Sequence, residues 1–192
     1  MKDERIAILG ISGSLRQGSY NRALLEAATE LTSAGVTMRV FEGLGAIPVF
    51  NEDLEAPAGD PAGVLALRRA VADADGVIFA TPEYNQSLPG SVKNTIDWLS
   101  RSTSAGGLKG KPVAVTGATT GPWGTRIAQT ALRQVLLSTG AAVLPSPMLF
   151  VASVASRFDD DRRLTDPDLR LRLAELVSAT ANWARLVQPG GS

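Results

Sequence analysis

The segment Gly10-Ile-Ser12-Gly13-Ser14-Leu15-Arg16-Gln17-Gly18-Ser19-Tyr20-Asn21 gathers glycines, hydroxyls and one arginine between an apolar run and a helical pattern. Glycines permit a tight turn there, hydroxyls and backbone N–H groups converge, and the helix N-terminus adds positive potential. That combination is an anion cradle, with Arg16 as a fixed charge. No Gly-Lys-Ser/Thr closes it, as a nucleoside-triphosphate loop requires. Gly10, Gly13 and Gly18 also miss the G-x-G-x-x-G spacing of dinucleotide-binding turns, a reading in which Glu42 would serve a ribose. A loop so rich in hydroxyls suits a terminal monoester phosphate, which needs several donors around one group. The plain alternative is a polar turn with good helix-capping residues.

A second segment, Thr81-Pro82-Glu83-Tyr84-Asn85-Gln86-Ser87-Leu88-Pro89-Gly90-Ser91, sets an aromatic beside an amide. Tyr84 could flank a flat heterocycle, and Asn85 could meet its polar edge. Alternatively the prolines and glycine simply make turns, and Tyr84 packs. A third segment, Thr116-Gly117-Ala118-Thr119-Thr120-Gly121-Pro122-Trp123-Gly124, offers hydroxyls and N–H groups to a ring's carbonyls, or is a flexible turn.

The chain has no histidine and no cysteine. That excludes Ser-His-Asp hydrolysis, thiol chemistry, disulfides, and zinc sites built on imidazole or thiolate. Redox chemistry would therefore need a bound organic cofactor. The 19 basic and 19 acidic residues cancel, so the basic excess of nucleic-acid binders is missing. The run of three aspartates between Arg157 and Arg163 reads as a solvated loop rather than a metal site. Trp98 and Trp183 read as packed side chains. No stretch reaches the roughly 20 apolar residues of a membrane span, and no signal-like run follows the charged start, so a cytoplasmic address is expected.

Elements that could position these segments alternate along the chain. Apolar runs at 5–11, 37–41, 76–81, 112–117 and 141–144 read as strands. Between them, periodic stripes predict helices: Leu24, Leu25, Ala28 and Leu31; Val64, Leu67 and Val71; Val92, Ile96 and Leu99; Ile127, Ala131, Val135 and Leu136. Residues 43–59 are loop-rich, with Pro48 and Pro57. Asp166-Pro167 announces a last helix carrying Leu169, Leu173, Leu176, Trp183 and Val187, and the closing Pro189-Gly-Gly-Ser192 should fray. At 192 residues, one α/β domain over 1–192 is expected: a flavodoxin-like, doubly wound, five-stranded parallel sheet of order 2-1-3-4-5, with helices on both faces. Ligands of such sheets sit beyond the strand carboxyl ends where the order reverses, after the first and third strands; FMN in flavodoxin illustrates that rule.

At these residues the sequence resembles the NADPH-dependent FMN reductase family, and within it the chromate/quinone reductase subgroup. Gly13-Ser-Leu-Arg-Gln-Gly-Ser-Tyr-Asn21 resembles the family's phosphate loop, and Pro82-Glu-Tyr-Asn85 through Ser100 its flavin segment and following helix. Gly110-Lys-Pro and Leu132-Arg-Gln134 match at the corresponding distances. The resemblance implies non-covalent FMN, NADPH or NADH as co-substrate, a small electron acceptor such as a quinone, and a homodimer or homotetramer. By position it assigns Ser14, Leu15, Arg16, Ser19, Tyr20 and Asn21 to the phosphate loop. It assigns Pro82, Glu83, Tyr84 and Asn85 to the ring, with Ala118 and Thr119 from the third loop. Close relatives have Ser where Ala118 stands and Gly-Gly where Gly124-Thr125 stands. No catalytic acid or base is required, because two-electron transfer in ping-pong order needs mainly position. Two other readings share the fold: an electron carrier without NAD(P)H turnover, and a flavin-free nucleotide-binding module.

Overall fold

A computed structural model describes residues 5–55, 59–101 and 106–187. Pro57 and the closing 189–192 lie outside them. Five parallel positions make the sheet, because each apolar run is too short and too evenly hydrophobic to stand alone in water. The elements are β1 (Ile6–Ser12), α1 (Tyr20–Thr29), β2 (Val36–Val40), α2 (Ala62–Ala72), β3 (Gly76–Ala80) and α3 (Gly90–Ser100). They continue with β4 (Pro112–Ala118), α4 (Arg126–Ser138), β5 (Ala142–Val143), β6 (Leu149–Val151) and α5 (Pro167–Val187). The order is β2-β1-β3-β4-β5, as expected, with the paired strands parallel throughout.

Strand alternation sorts the core into two layers. Ile8, Ile78 and Ala114 point to one face, covered by Leu24 and Leu25 of α1 and Leu169, Leu173 and Leu176 of α5. Leu9, Val77, Phe79, Val113 and Val115 point to the other, covered by α2, α3 and α4. Trp98 is fully buried there and donates its indole N–H to the Pro48 carbonyl at 2.9 Å. Trp183 is half-buried, its N–H on the Ala142 carbonyl at 2.7 Å. Among the described residues no helix is long and apolar enough to cross a membrane.

Two expectations change. The fifth sheet position is divided: β5 pairs with the start of β4 at Pro112–Val113, and β6 pairs with its end at Thr116–Ala118. Pro145 and Pro147 between them lack N–H donors, so the chain leaves the ladder and re-enters. A three-residue strand behind two prolines has no periodic signal. In α4 the buried face is Ala128, Gln129, Leu132 and Leu136, while Ile127 is half-exposed. The Gln129 amide sets this rotation by donating to Thr125 Oγ1 and the Leu149 carbonyl, both at 3.0 Å. A hydrophobic count reads that glutamine as surface.

The last helix starts as expected. Asp166 Oδ1 accepts the Leu169 N–H at 2.9 Å, and Arg157 Nη1 stands 2.6 Å from Oδ2. The Leu169 bond first, then Arg157, hold this carboxyl below the ordinary aspartate range. A depressed folded value means the carboxylate stabilises above the unfolded value, near ~3.9, and that contribution is lost as pH falls through the folded one. The apoprotein's thermal midpoint is therefore expected to drop between about pH 5 and about pH 3, and Asp166→Asn flattens part of that drop. Thermal melts of both proteins across that range check it; identical slopes refute it.

Candidate active site

The carboxyl ends of β1, β3 and β4 emerge side by side, and backbone bonds extend the ladder into the loops. Gly13 N–H donates to the Ala80 carbonyl at 2.8 Å, Thr81 N–H to Thr116 at 2.9 Å, and Thr119 N–H to Val151 at 3.0 Å. Ser91 Oγ donates to the Gly13 carbonyl at 2.6 Å, tying the first loop to α3. Gly13 has no room for a side chain: a Cβ would lie 2.3 Å from Val92 Cγ2. The first and third strand exits are thus locked together at the reversal point.

The first loop builds a donor cluster. Ser19 caps α1, its Oγ accepting Arg22 N–H at 3.2 Å, and its carbonyl accepts Ala23 N–H at 3.0 Å. A helix start leaves its first N–H groups without intrahelical partners, so those of Tyr20 and Asn21 remain for a ligand. No acidic residue stands in the first turn of α1. Arg16 is exposed and lines the clefts on either side of the loop. Arg22, by contrast, is already committed: Glu26 first, and Glu42, hold it above its usual range. Glu42, at 2.6 Å from Arg22 Nη2, borders the neighbouring cleft of about 360 Å³.

The structure gathers Ser14, Arg16, Ser19, Tyr20, Asn21, Pro82, Glu83, Tyr84, Ala118 and Thr119 around one cleft of about 160 Å³. Leu15 is at the rim, on the two adjoining clefts. Asn85 does not line them. It and Gln86 take left-handed φ values of 49° and 58° in a turn closed by reciprocal Tyr84–Ser87 bonds of 3.1 and 3.0 Å. Asparagine tolerates that conformation better than most residues, and the turn presents Tyr84 at the cleft mouth.

Several side chains there perform tasks that local spacing does not reveal. Asn21 is buried, and its amide bridges both polar groups of Ala118: Nδ2 donates to the carbonyl at 3.0 Å, and Oδ1 accepts the N–H at 2.9 Å. It therefore joins the first loop to the third. Glu83 Oε2 accepts Ile127 and Ala128 N–H, each at 2.9 Å, so the second loop caps α4. Tyr20 packs at a tilt against Phe158, with the Arg162 guanidinium 4.0 Å from its ring centroid. The expected solvated loop at 157–163 is thus only partly so: its three aspartates are exposed, while Phe158 is buried. These partners are 44 to 142 residues apart in the chain, and only the sheet brings them together.

A phosphate monoester fits the first loop, because hydroxyls, free N–H groups and an arginine with no ion pair among the described residues converge there, while Glu83 on the same cleft has Oε2 engaged by the start of α4. A flat ring fits beside it, between the Pro82–Tyr84 segment and Ala118–Thr119. The fold is flavodoxin-like, and this cleft lies at its switch point. Residues 6–156 match the family model for NADPH-dependent FMN reductase, and the chain belongs to that family of oxidoreductases. It is 40% identical to an NAD(P)H-dependent FMN reductase of Pseudomonas aeruginosa, over 96% of this chain and 98% of that one. It is 36% identical to a quinone reductase of Pseudomonas putida, over 92% and 93%. Among solved structures, the flavoenzyme NAD(P)H:(acceptor) oxidoreductase of Paracoccus denitrificans superposes with a TM-score of 0.83 at 32% identity, covering 94% and 98%.

Proposed function

We propose that this chain is one FMN-binding domain that passes two electrons from NADH or NADPH to a small acceptor such as a quinone, in ping-pong order. The observation that carries the reading is a donor cluster for one phosphate opening into the same cleft as the aromatic turn. Ser14, Arg16, Ser19 and the N–H groups of Tyr20 and Asn21 hold the phosphate. Pro82, Glu83, Tyr84 and Asn85, with Ala118 and Thr119, supply the segment that orients the ring. Bound FMN supplies the redox chemistry, since the chain has no thiol or imidazole of its own. Small residues in the third loop leave one side of the cleft uncovered, so donor and acceptor occupy it in turn. Apolar side chains stand exposed around the same edge, Trp123 at 79% and Leu15 at 61% among them. A second copy of the chain would cover them, which supports a homodimer or homotetramer. We place the protein in the cytoplasm, with the reduced nicotinamide it uses; its partners are small molecules, not nucleic acid or membrane.

The purified protein is expected to be yellow, or to bind added FMN and gain thermal stability from it. Initial rates of NAD(P)H oxidation against benzoquinone are expected to give parallel double-reciprocal lines. A protein that neither binds nor is stabilised by FMN refutes the reading. FMN binding with negligible NAD(P)H oxidation identifies a carrier instead.

A further inference from the structure

Arg162 lies far outside the phosphate-loop motif, on the hairpin between Phe158 and Leu164. Asp159 closes that hairpin, accepting Arg162 N–H on its carbonyl at 3.0 Å and Arg163 N–H on Oδ1 at 2.8 Å. Arg162 takes a left-handed φ of 64°, a conformation that costs a bulky residue energy and persists where the surroundings require it. Its guanidinium lies 4.0 Å from the Tyr20 ring centroid. The Tyr20 ring in turn packs on Phe158, at 5.7 Å between centroids. The guanidinium reaches the backbone of the phosphate loop: a Cβ placed on Gly18 would lie 3.3 Å from Arg162 Nη2. Nη1 is buried and has no hydrogen-bond partner. Among the described residues Arg162 has no ion pair, and nearby Asp161 faces Arg163 at 3.9 Å.

This arrangement is electrostatically incomplete. A helix N-terminus favours anions, yet here a partly buried cation is held against the first residue of α1. Arg16, the loop's own arginine, likewise has no ion pair among the described residues. Glu26, Glu30 and Asp161 line the outer pocket that Arg162 borders, with no ion pair to it among the described residues, so two guanidinium groups and a helix start around one short loop form a positive region that an anion would offset.

Resting on the FMN reading above, we infer that Arg162 is a second phosphate cation, delivered by the C-terminal hairpin, which makes binding depend on the phosphate of FMN. It is a positioning residue: it adds positive potential at the loop and braces Tyr20 and Gly18 around the phosphate.

Arg162→Gly tests this directly, because glycine accepts the left-handed φ and leaves the hairpin unstrained. Apoprotein is titrated into FMN and into riboflavin, following flavin fluorescence, with thermal melts of each apoprotein as the check on folding. The FMN dissociation constant is expected to rise about tenfold or more, as for loss of a charge-assisted contact, while that for riboflavin stays within about twofold. The salt dependence of FMN binding flattens, and Arg162→Lys recovers part of the affinity. Equal losses for both flavins would show that Arg162 only props Tyr20, and overturn the inference. So would unchanged FMN affinity, or a loss confined to the KM for NADPH. A wild-type protein that binds neither flavin overturns the FMN reading and this one with it.

Discussion

Gly117→Ala is expected to lower the thermal midpoint by about 6–12 °C and to weaken FMN binding sharply. The added Cβ would stand 2.1 Å from the Thr81 carbonyl oxygen and 2.2 Å from Thr125 Oγ1. Neither atom is the free end of a flexible chain. Thr81 is held to β4 by its N–H on the Thr116 carbonyl at 2.9 Å, and its own Oγ1 donates to the Pro82 carbonyl at 2.8 Å. Thr125 is buried and accepts the Gln129 amide. Relief must therefore come from parting the ends of β3 and β4, which costs about 3 kcal/mol. The same parting displaces the Pro82–Tyr84 segment, so stability and cofactor affinity fall together. Gly121→Ala, in the same loop, is the control: its Cβ finds nothing nearer than Thr119 Oγ1 at 3.6 Å. Thermal melts with and without FMN on both variants check the claim, and a Gly117→Ala protein as stable as wild type refutes it.

Asn21→Ala removes both bonds to Ala118 and leaves a buried N–H and a buried carbonyl without partners. Unsatisfied groups of that kind cost about 1–3 kcal/mol each, so a loss of about 3 kcal/mol is expected in the apoprotein. Asn21→Asp separates the two duties of this side chain. A carboxylate still accepts the Ala118 N–H but confronts the Ala118 carbonyl with a second acceptor. It also sets a negative charge at the helix start that the proposed phosphate site uses. FMN affinity is therefore expected to fall much further than riboflavin affinity in Asn21→Asp, and about equally for both in Asn21→Ala. Stability by denaturant titration and affinity for the two flavins check this. An Asn21→Ala protein with wild-type stability would show that the bridge contributes nothing.

Much of the fold is legible in the residues because buried parallel strands and amphipathic helices carry local signals. The runs Gly76–Thr81 and Pro112–Gly117 differ from the observed strands by one residue at one end, and Arg5–Ile11 by one residue at each end. Asp166-Pro167 marks the start of α5 because a cap acts within one turn. The donor-rich first loop is legible for the same reason: hydroxyls, glycines and a helix start act over a dozen consecutive residues.

What tertiary structure alone decides is which side chains answer groups distant in the chain. Asn21 is assigned to the phosphate loop by resemblance, and nothing in the sequence marks its bond to Ala118, 97 residues on, which β4 brings to it. Glu83, in the ring segment by resemblance, also meets two free N–H groups of α4, and Gln129, outside the predicted stripe of α4, meets a carbonyl that β6 supplies. A polar side chain carries no mark of its partner, whereas an apolar one at a given period needs only some partner on that face. So the residues by themselves determine the layers and the chemistry of the loops. The packing decides how those loops are joined, because a hydrogen bond requires one particular atom at about 3 Å and burial does not.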